Sequence, residues 1–152
     1  MPENKFSPPY YGGVYSPEIT ELPEAGFDIE MMKKSGFNVV KIGDNGWNIV
    51  EKSKGVFDFS FYTELLSKLK KNGIAAVFSL PVFSPPMWQV KEVKTEFCPS
   101  NAEYIGSASY MVRETVKALD SFDNIIAWTV SVPENEPCFC EDCRRRFAKS
   151  LS

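Results

Sequence analysis

Ile125-Ile126-Ala127-Trp128-Thr129-Val130-Ser131-Val132-Pro133-Glu134-Asn135-Glu136-Pro137-Cys138-Phe139-Cys140-Glu141-Asp142-Cys143, residues 125–143, is the stretch from which the rest of the chain is read. Its first six residues are a near-continuous apolar run bounded by Asp123-Asn124 and Pro133, the pattern of a buried strand. Two carboxylates follow, Glu134 and Glu136, on either side of Asn135. Three thiols then fall within six residues: Cys138, Cys140 and Cys143. A buried strand that delivers carboxylates and metal-ligand chemistry at its C-terminal end is how α/β proteins build sites.

Working outward, the same unit recurs upstream. The spacing predicts a short aromatic strand over 10–15 and a helix over about 22–35, stopped by Gly36. A second strand is expected over 37–42, followed by a loop over 43–47 and another over 55–59. Ser60 is expected to cap a helix that runs to Lys71, with Asn72-Gly73 ending it. A third strand is expected over 74–80 and a proline-stiffened loop over 81–88. A helix then begins at Ser100 or Asn101 and reaches about Leu119, and residues 141–151 begin a fourth helix.

Strand then helix, four times over, implies an α/β fold with a parallel sheet covered by helices. A β/α barrel takes eight such units and about 250 residues. The 152 residues hold four such units, the first half of a TIM-type (β/α)8 barrel, and it is the motifs that favour reading them as that half-barrel, one partial catalytic domain over 1–152. A small open α/β sheet is the alternative. Open strand edges invite association, so a homo-oligomer or pairing with a C-terminal half is expected. Functional residues should sit after the strands, in 14–18, 43–59, 81–98 and 131–143.

Composition narrows the chemistry. With 43% hydrophobic and 24% charged residues the chain is globular rather than disordered. A net charge of -3 with no dense basic patch argues against nucleic acid or an anionic membrane as partner. No apolar run approaches the roughly 20 residues of a membrane span, and the start lacks a secretory signal's apolar core, so a cytoplasmic location is expected. The chain has no histidine, which excludes Ser-His-Asp and Cys-His catalysis and two-His metal sites. No Gly-x-Gly-x-x-Gly or P-loop pattern follows any strand. Acid–base work falls to carboxylates, Lys or Tyr.

All four cysteines, Cys98, Cys138, Cys140 and Cys143, belong to two loops after adjacent strands and so to one face of the sheet. Four thiolates are the ligand set of a closed tetrahedral zinc site, which has no open position for substrate and is structural. A Cys140–Cys143 redox pair, or plain free thiols, are the alternatives. An acid beside an amide, Glu136 beside Asn135, suits glycoside hydrolysis, in which one carboxyl group protonates the leaving oxygen. Trp47 and Trp88 stand near strand ends, where aromatic walls suit sugar faces; core packing is the equal alternative for both. Trp128 and Phe97 read as core.

In these residues the chain resembles glycoside hydrolase family 42, the β-galactosidases. Tyr10-Tyr11-Gly12-Gly13-Val14-Tyr15-Ser16-Pro17-Glu18 is similar to the family's opening strand. Trp47, Gly55-Val56-Phe57-Asp58-Phe59-Ser60 and Pro81-Val82-Phe83-Ser84-Pro85-Pro86-Met87-Trp88 are similar to its later loops. Phe97-Cys98-Pro99-Ser100 and Cys138-Phe139-Cys140-Glu141-Asp142-Cys143 resemble its zinc-ligand sequences. The resemblance implies the N-terminal half of a retaining-glycosidase barrel acting on a β-galactoside or oligosaccharide, with a structural Zn2+. It implies Glu136 as acid/base, with Glu134 behind it, and Asn135, Lys94, Trp47 and Trp88 for substrate. The family carries its nucleophile after a seventh strand, so the chain alone is expected to be inactive or nearly so. A degenerate or non-catalytic carbohydrate-binding protein is the alternative; a thiol redox or zinc-buffering module comes third.

Three departures from the family pattern stand in the sequence. Five residues separate Trp128 from Glu134-Asn135-Glu136, where the family has two before Asp-Asn-Glu; a gapless match puts Val132-Pro133 at the Asn-Glu position. Only Pro137 separates Glu136 from Cys138. Lys94 stands where the family has a substrate arginine, which keeps the charge and loses the bidentate fork.

Overall fold

A computed structural model describes residues 8–19, 25–82, 85–92, 98, 100–130 and 138–151. Its elements are β1 (Gly12–Val14), α1 (Ala25–Lys34), β2 (Val39–Ile42), α2 (Trp47–Val50), α3 (Ser60–Lys71), β3 (Ala75–Leu80), α4 (Met87–Glu92), α5 (Ala102–Leu119), β4 (Ile125–Val130) and α6 (Glu141–Ser150). The four strands form one parallel sheet in chain order, β1-β2-β3-β4. An open doubly wound sheet would reverse that order somewhere. Here the sheet advances in one direction only, so right-handed crossovers place α1, α3 and α5 on one face. This is how a barrel begins.

Alternation along the strands sorts the side chains. Val40, Ile42, Ala76 and Phe78 face the helices and join Ile29, Tyr62, Leu65, Leu66, Leu69, Met111 and Leu119 in the core. Each such large apolar side chain, fully buried, contributes about 1.5–3 kcal/mol. Phe78 meets Tyr62 at 4.9 Å and Trp128 at 5.4 Å between ring centroids, which ties α3, β3 and β4 together.

Helix ends follow from identifiable residues. Gly36 and Gly73 take φ of 83° and 73°, left-handed values suited to the stop after α1 and α3. Asn101 caps α5: its side-chain oxygen accepts from the Glu103 and Tyr104 amides at 2.9 and 3.1 Å. The expected cap at Ser60 is corrected. Ser60 is the first residue of α3, and the Asp58 carboxylate two residues upstream accepts its N–H at 2.9 Å. Two further helices, α2 and α4, occupy what the sequence predicts as loop.

β4 spans the expected residues, but its side chains are not enclosed as the apolar run predicts. It lies at one edge of the sheet and β1 at the other, so Val130 is 60% and Val14 is 67% exposed. Among the described residues, no helix is long and apolar enough to cross a membrane.

Candidate metal centre

The cysteines come from two places that the fold brings together. Cys98 lies between α4 and α5, three residues before the Asn101 cap, and is buried. Cys138 and Cys140 lead into α6, and Cys143 sits in its first turn. The four Sγ atoms all lie within 4.8 Å of one another. Cys98 Sγ is 3.5 Å from both Cys140 Sγ and Cys143 Sγ. That is far beyond a disulfide bond, and all four thiols are free. A tetrahedron with Zn–S bonds of about 2.3 Å has sulfurs roughly 3.8 Å apart. The donor set and its spacing fit a metal ion.

Polar groups around the sulfurs suit thiolates. The Ser100 amide donates to Cys98 Sγ at 3.4 Å, and the Cys143 amide donates to Cys140 Sγ at 3.5 Å. Ser100 Oγ stands 3.2 Å from Cys143 Sγ. The Cys143 amide, with Cys98 as the next contributor, draws the Cys140 thiol down to about 7. Burial pushes Cys98 up to about 12. A bound cation displaces whatever protons its thiol ligands still carry.

The two candidate tryptophans share one partner, Glu51. Trp47 opens α2 and has no exposed surface, so the structure places it in the core. Its indole N–H donates to Glu51 Oε2 at 2.6 Å. Trp88, in α4, is half-buried and its indole N–H donates to the Glu51 main-chain carbonyl at 3.0 Å. Glu51 Oε1 accepts from the Gly55 amide at 2.8 Å. Nothing in the sequence reading singled out Glu51, although its i+4 spacing from Trp47 was visible. Next to Trp88, Gln89 is 3% exposed, and neither end of its amide has a hydrogen-bond partner among the described residues.

A second carboxylate, Glu18 after β1, ties the strand ends. Its Oε1 accepts from the Gly43 amide at 2.9 Å and from the Tyr62 hydroxyl at 2.8 Å, while its buried Oε2 has no partner. Burial raises the Glu18 carboxyl above its ordinary range. Desolvation, and then the nearby Glu18 charge, raise the Tyr62 hydroxyl. Close packing here requires Gly46, since a Cβ at that position would collide with the Tyr62 hydroxyl. The remaining sequence candidates, Glu134, Asn135, Glu136 and Lys94, lie outside the described residues, as does Phe97.

Residues 14–95 match the profile of glycoside hydrolase family 42, described as β-galactosidase. The chain belongs to glycoside hydrolase family 42. β-Galactosidase YesZ of Bacillus licheniformis is 27% identical over 93% of this chain and 24% of its own length. β-Galactosidase BgaB of a Geobacillus species is 28% identical, again over 93% of this chain and 24% of its own. Among solved structures, the β-galactosidase from Rahnella sp. R3 superposes with a TM-score of 0.84 at 24% identity, over 93% of this chain and 24% of that one. The β-galactosidase from Halorubrum lacusprofundi gives 0.83 at 23% identity, with the same shares covered. At these identities the structures speak for the fold: four parallel strands that match the N-terminal part of family 42 barrels. The family 42 chain described here spans about a quarter of the length of the curated relatives it matches.

Proposed function

We propose that these residues form the N-terminal (β/α)4 part of a barrel that hydrolyses terminal β-galactosides with retention of configuration. The observation that carries this reading is the family match over residues 14–95. Glu136 acts as acid/base, protonating the leaving oxygen and later activating water. Asn135 and Lys94 hold sugar hydroxyls, and Trp88 offers an aromatic face. Trp47, enclosed in the core, acts through packing. A zinc ion held by Cys98, Cys138, Cys140 and Cys143 supplies structure and no catalytic step; it fastens the loop before α5 to the start of α6.

A retaining enzyme needs two carboxyl groups about 5–5.5 Å apart. The family's nucleophile follows a seventh strand, which these 152 residues do not contain. The polypeptide by itself is therefore expected to show no turnover of nitrophenyl β-galactoside. Turnover by the purified chain that Glu136→Gln abolishes would overturn the assignment of the nucleophile to a later strand. A second reading, a sugar-binding descendant without catalysis, is favoured by Lys94 in the arginine position and by the longer spacing after Trp128. Galactoside binding that persists without hydrolysis when the remaining strands are supplied in trans would select it.

A further inference from the structure

We propose that Glu51 is a positioning residue that fixes the ring plane of Trp88, and so sets the aromatic face this site presents to a pyranose ring. The proposal rests on the reading of Trp88 as a sugar-facing wall. Glu51 is 3% exposed, yet its acceptor atoms go to aromatic and turn groups rather than to a cation. One carboxylate oxygen takes the Trp47 indole at 2.6 Å and the other takes the Gly55 amide at 2.8 Å. Its main-chain carbonyl takes the Trp88 indole at 3.0 Å. A carboxylate accepts and does not donate, so it suits a position where two N–H groups converge.

The same side chain shapes what lies over Trp88. By holding Gly55 it closes the turn from Lys52 to Gly55, where Ser53 and Val56 form an antiparallel bridge. That turn carries Lys54, whose Nζ stands 5.9 Å from the centre of the Trp88 ring. An ammonium at that distance is attracted by the ring's negative face. Trp88 is thereby held at two points. Its N–H edge is fixed by the Glu51 carbonyl, and a cation sits over its ring on the turn that the Glu51 carboxylate closes. Trp47, anchored by the carboxylate itself, holds Glu51 against the core. Without such anchoring a half-buried indole would sample several rotamers, and a stacking contact with a sugar would lose ordering free energy on binding.

The test uses the full 152-residue chain, 15N-labelled, with a non-hydrolysable alkyl thio-β-galactoside as probe. Indole N–H signals report each tryptophan separately, and the Trp88→Phe variant assigns the Trp88 signal. In Glu51→Gln, one of the two carboxylate acceptors becomes a donor. The Trp88 signal should shift or broaden, and galactoside affinity should fall by roughly three- to tenfold, the worth of one ordered aromatic contact. Lys54→Met leaves the buried bonds alone and keeps the question open should Glu51→Gln fold poorly; it too should shift the Trp88 signal and weaken binding. If the Trp88 signal and the affinity match the parent's in Glu51→Gln, or in Lys54→Met where the former does not fold, the positioning role falls and the reading of Trp88 stands. A Trp88→Ala chain that binds the galactoside as the parent does overturns the reading of Trp88 itself.

Discussion

Gln89 is buried, with neither end of its amide bonded among the described residues, and an unsatisfied buried polar group costs about 1–3 kcal/mol. Gln89→Leu, of similar volume, should stabilise the chain by about 1 kcal/mol, read as a rise in the urea midpoint at unchanged slope. Glu18 has a different weakness. Its raised folded-state carboxyl means that the folded chain holds the proton more tightly than the unfolded chain does. The stability it contributes is complete below the ordinary value of 4.5 and is lost as pH rises through the folded value. Tyr62 from α3, Asp44 after β2 and Tyr15 after β1 act on it, and Lys52 lines a cavity with it. Glu18→Gln, which keeps an acceptor for Gly43 and Tyr62, should gain on the parent as pH rises from 4.5 through the raised folded value in urea titrations. A difference that stays flat across that range would remove Glu18 from the account. At this scale the sequence was least legible. Glu18 reads as part of a Ser-Pro-Glu turn and Glu51 as one more charged residue before a lysine. Both matter because of partners distant in sequence, which residue type does not reveal.

Among the elements, α5 was the most readable. A helical spacing of apolar residues and an asparagine at the right place mark where it begins, and Asn101 does cap it. Asn101→Ala should cost about 1 kcal/mol in a urea titration, whereas Asn101→Asp should cost little. Four-residue α2 and six-residue α4 escaped because so short a run shows no 3.6-residue period. Ser60 was misjudged for a related reason: several capping residues stand close together, and only the chain's path makes Phe59 the N-cap position and puts Ser60 inside the helix, its N–H taken by Asp58. The short helices carry Trp47 and Trp88, so the elements hardest to see are those that settle which tryptophan is core.

At the scale of the molecule, apolar strands alternating with amphipathic helices were enough to give a parallel sheet in chain order. The exposure of β4 was not legible, because an apolar run looks the same in a central strand and at an edge. The clustering of the four cysteines was legible, since both loops had to emerge at one end of the sheet. A metal there predicts concrete behaviour. Cobalt(II) added to the reduced chain should give the absorption of a tetrahedral four-thiolate site at one ion per chain. Its uptake should release protons. Zinc at a thousandfold over its dissociation constant should add about 4 kcal/mol of stability, which a chelator removes. Cys98→Ser should lose the tetrathiolate spectrum and most of that gain.

The sulfur cluster also has a mechanical consequence. Cys98 and Cys143 are 45 residues apart, and α5 and β4 lie between them. Once the sulfurs are bridged by an ion, tension applied at the two chain ends passes across the knot and bypasses everything inside it. The first extension event on pulling should fall short of full length by roughly 150–160 Å, the reach of the enclosed 45 residues. A second event, at the force that ruptures a metal–sulfur bond, should release that hidden length.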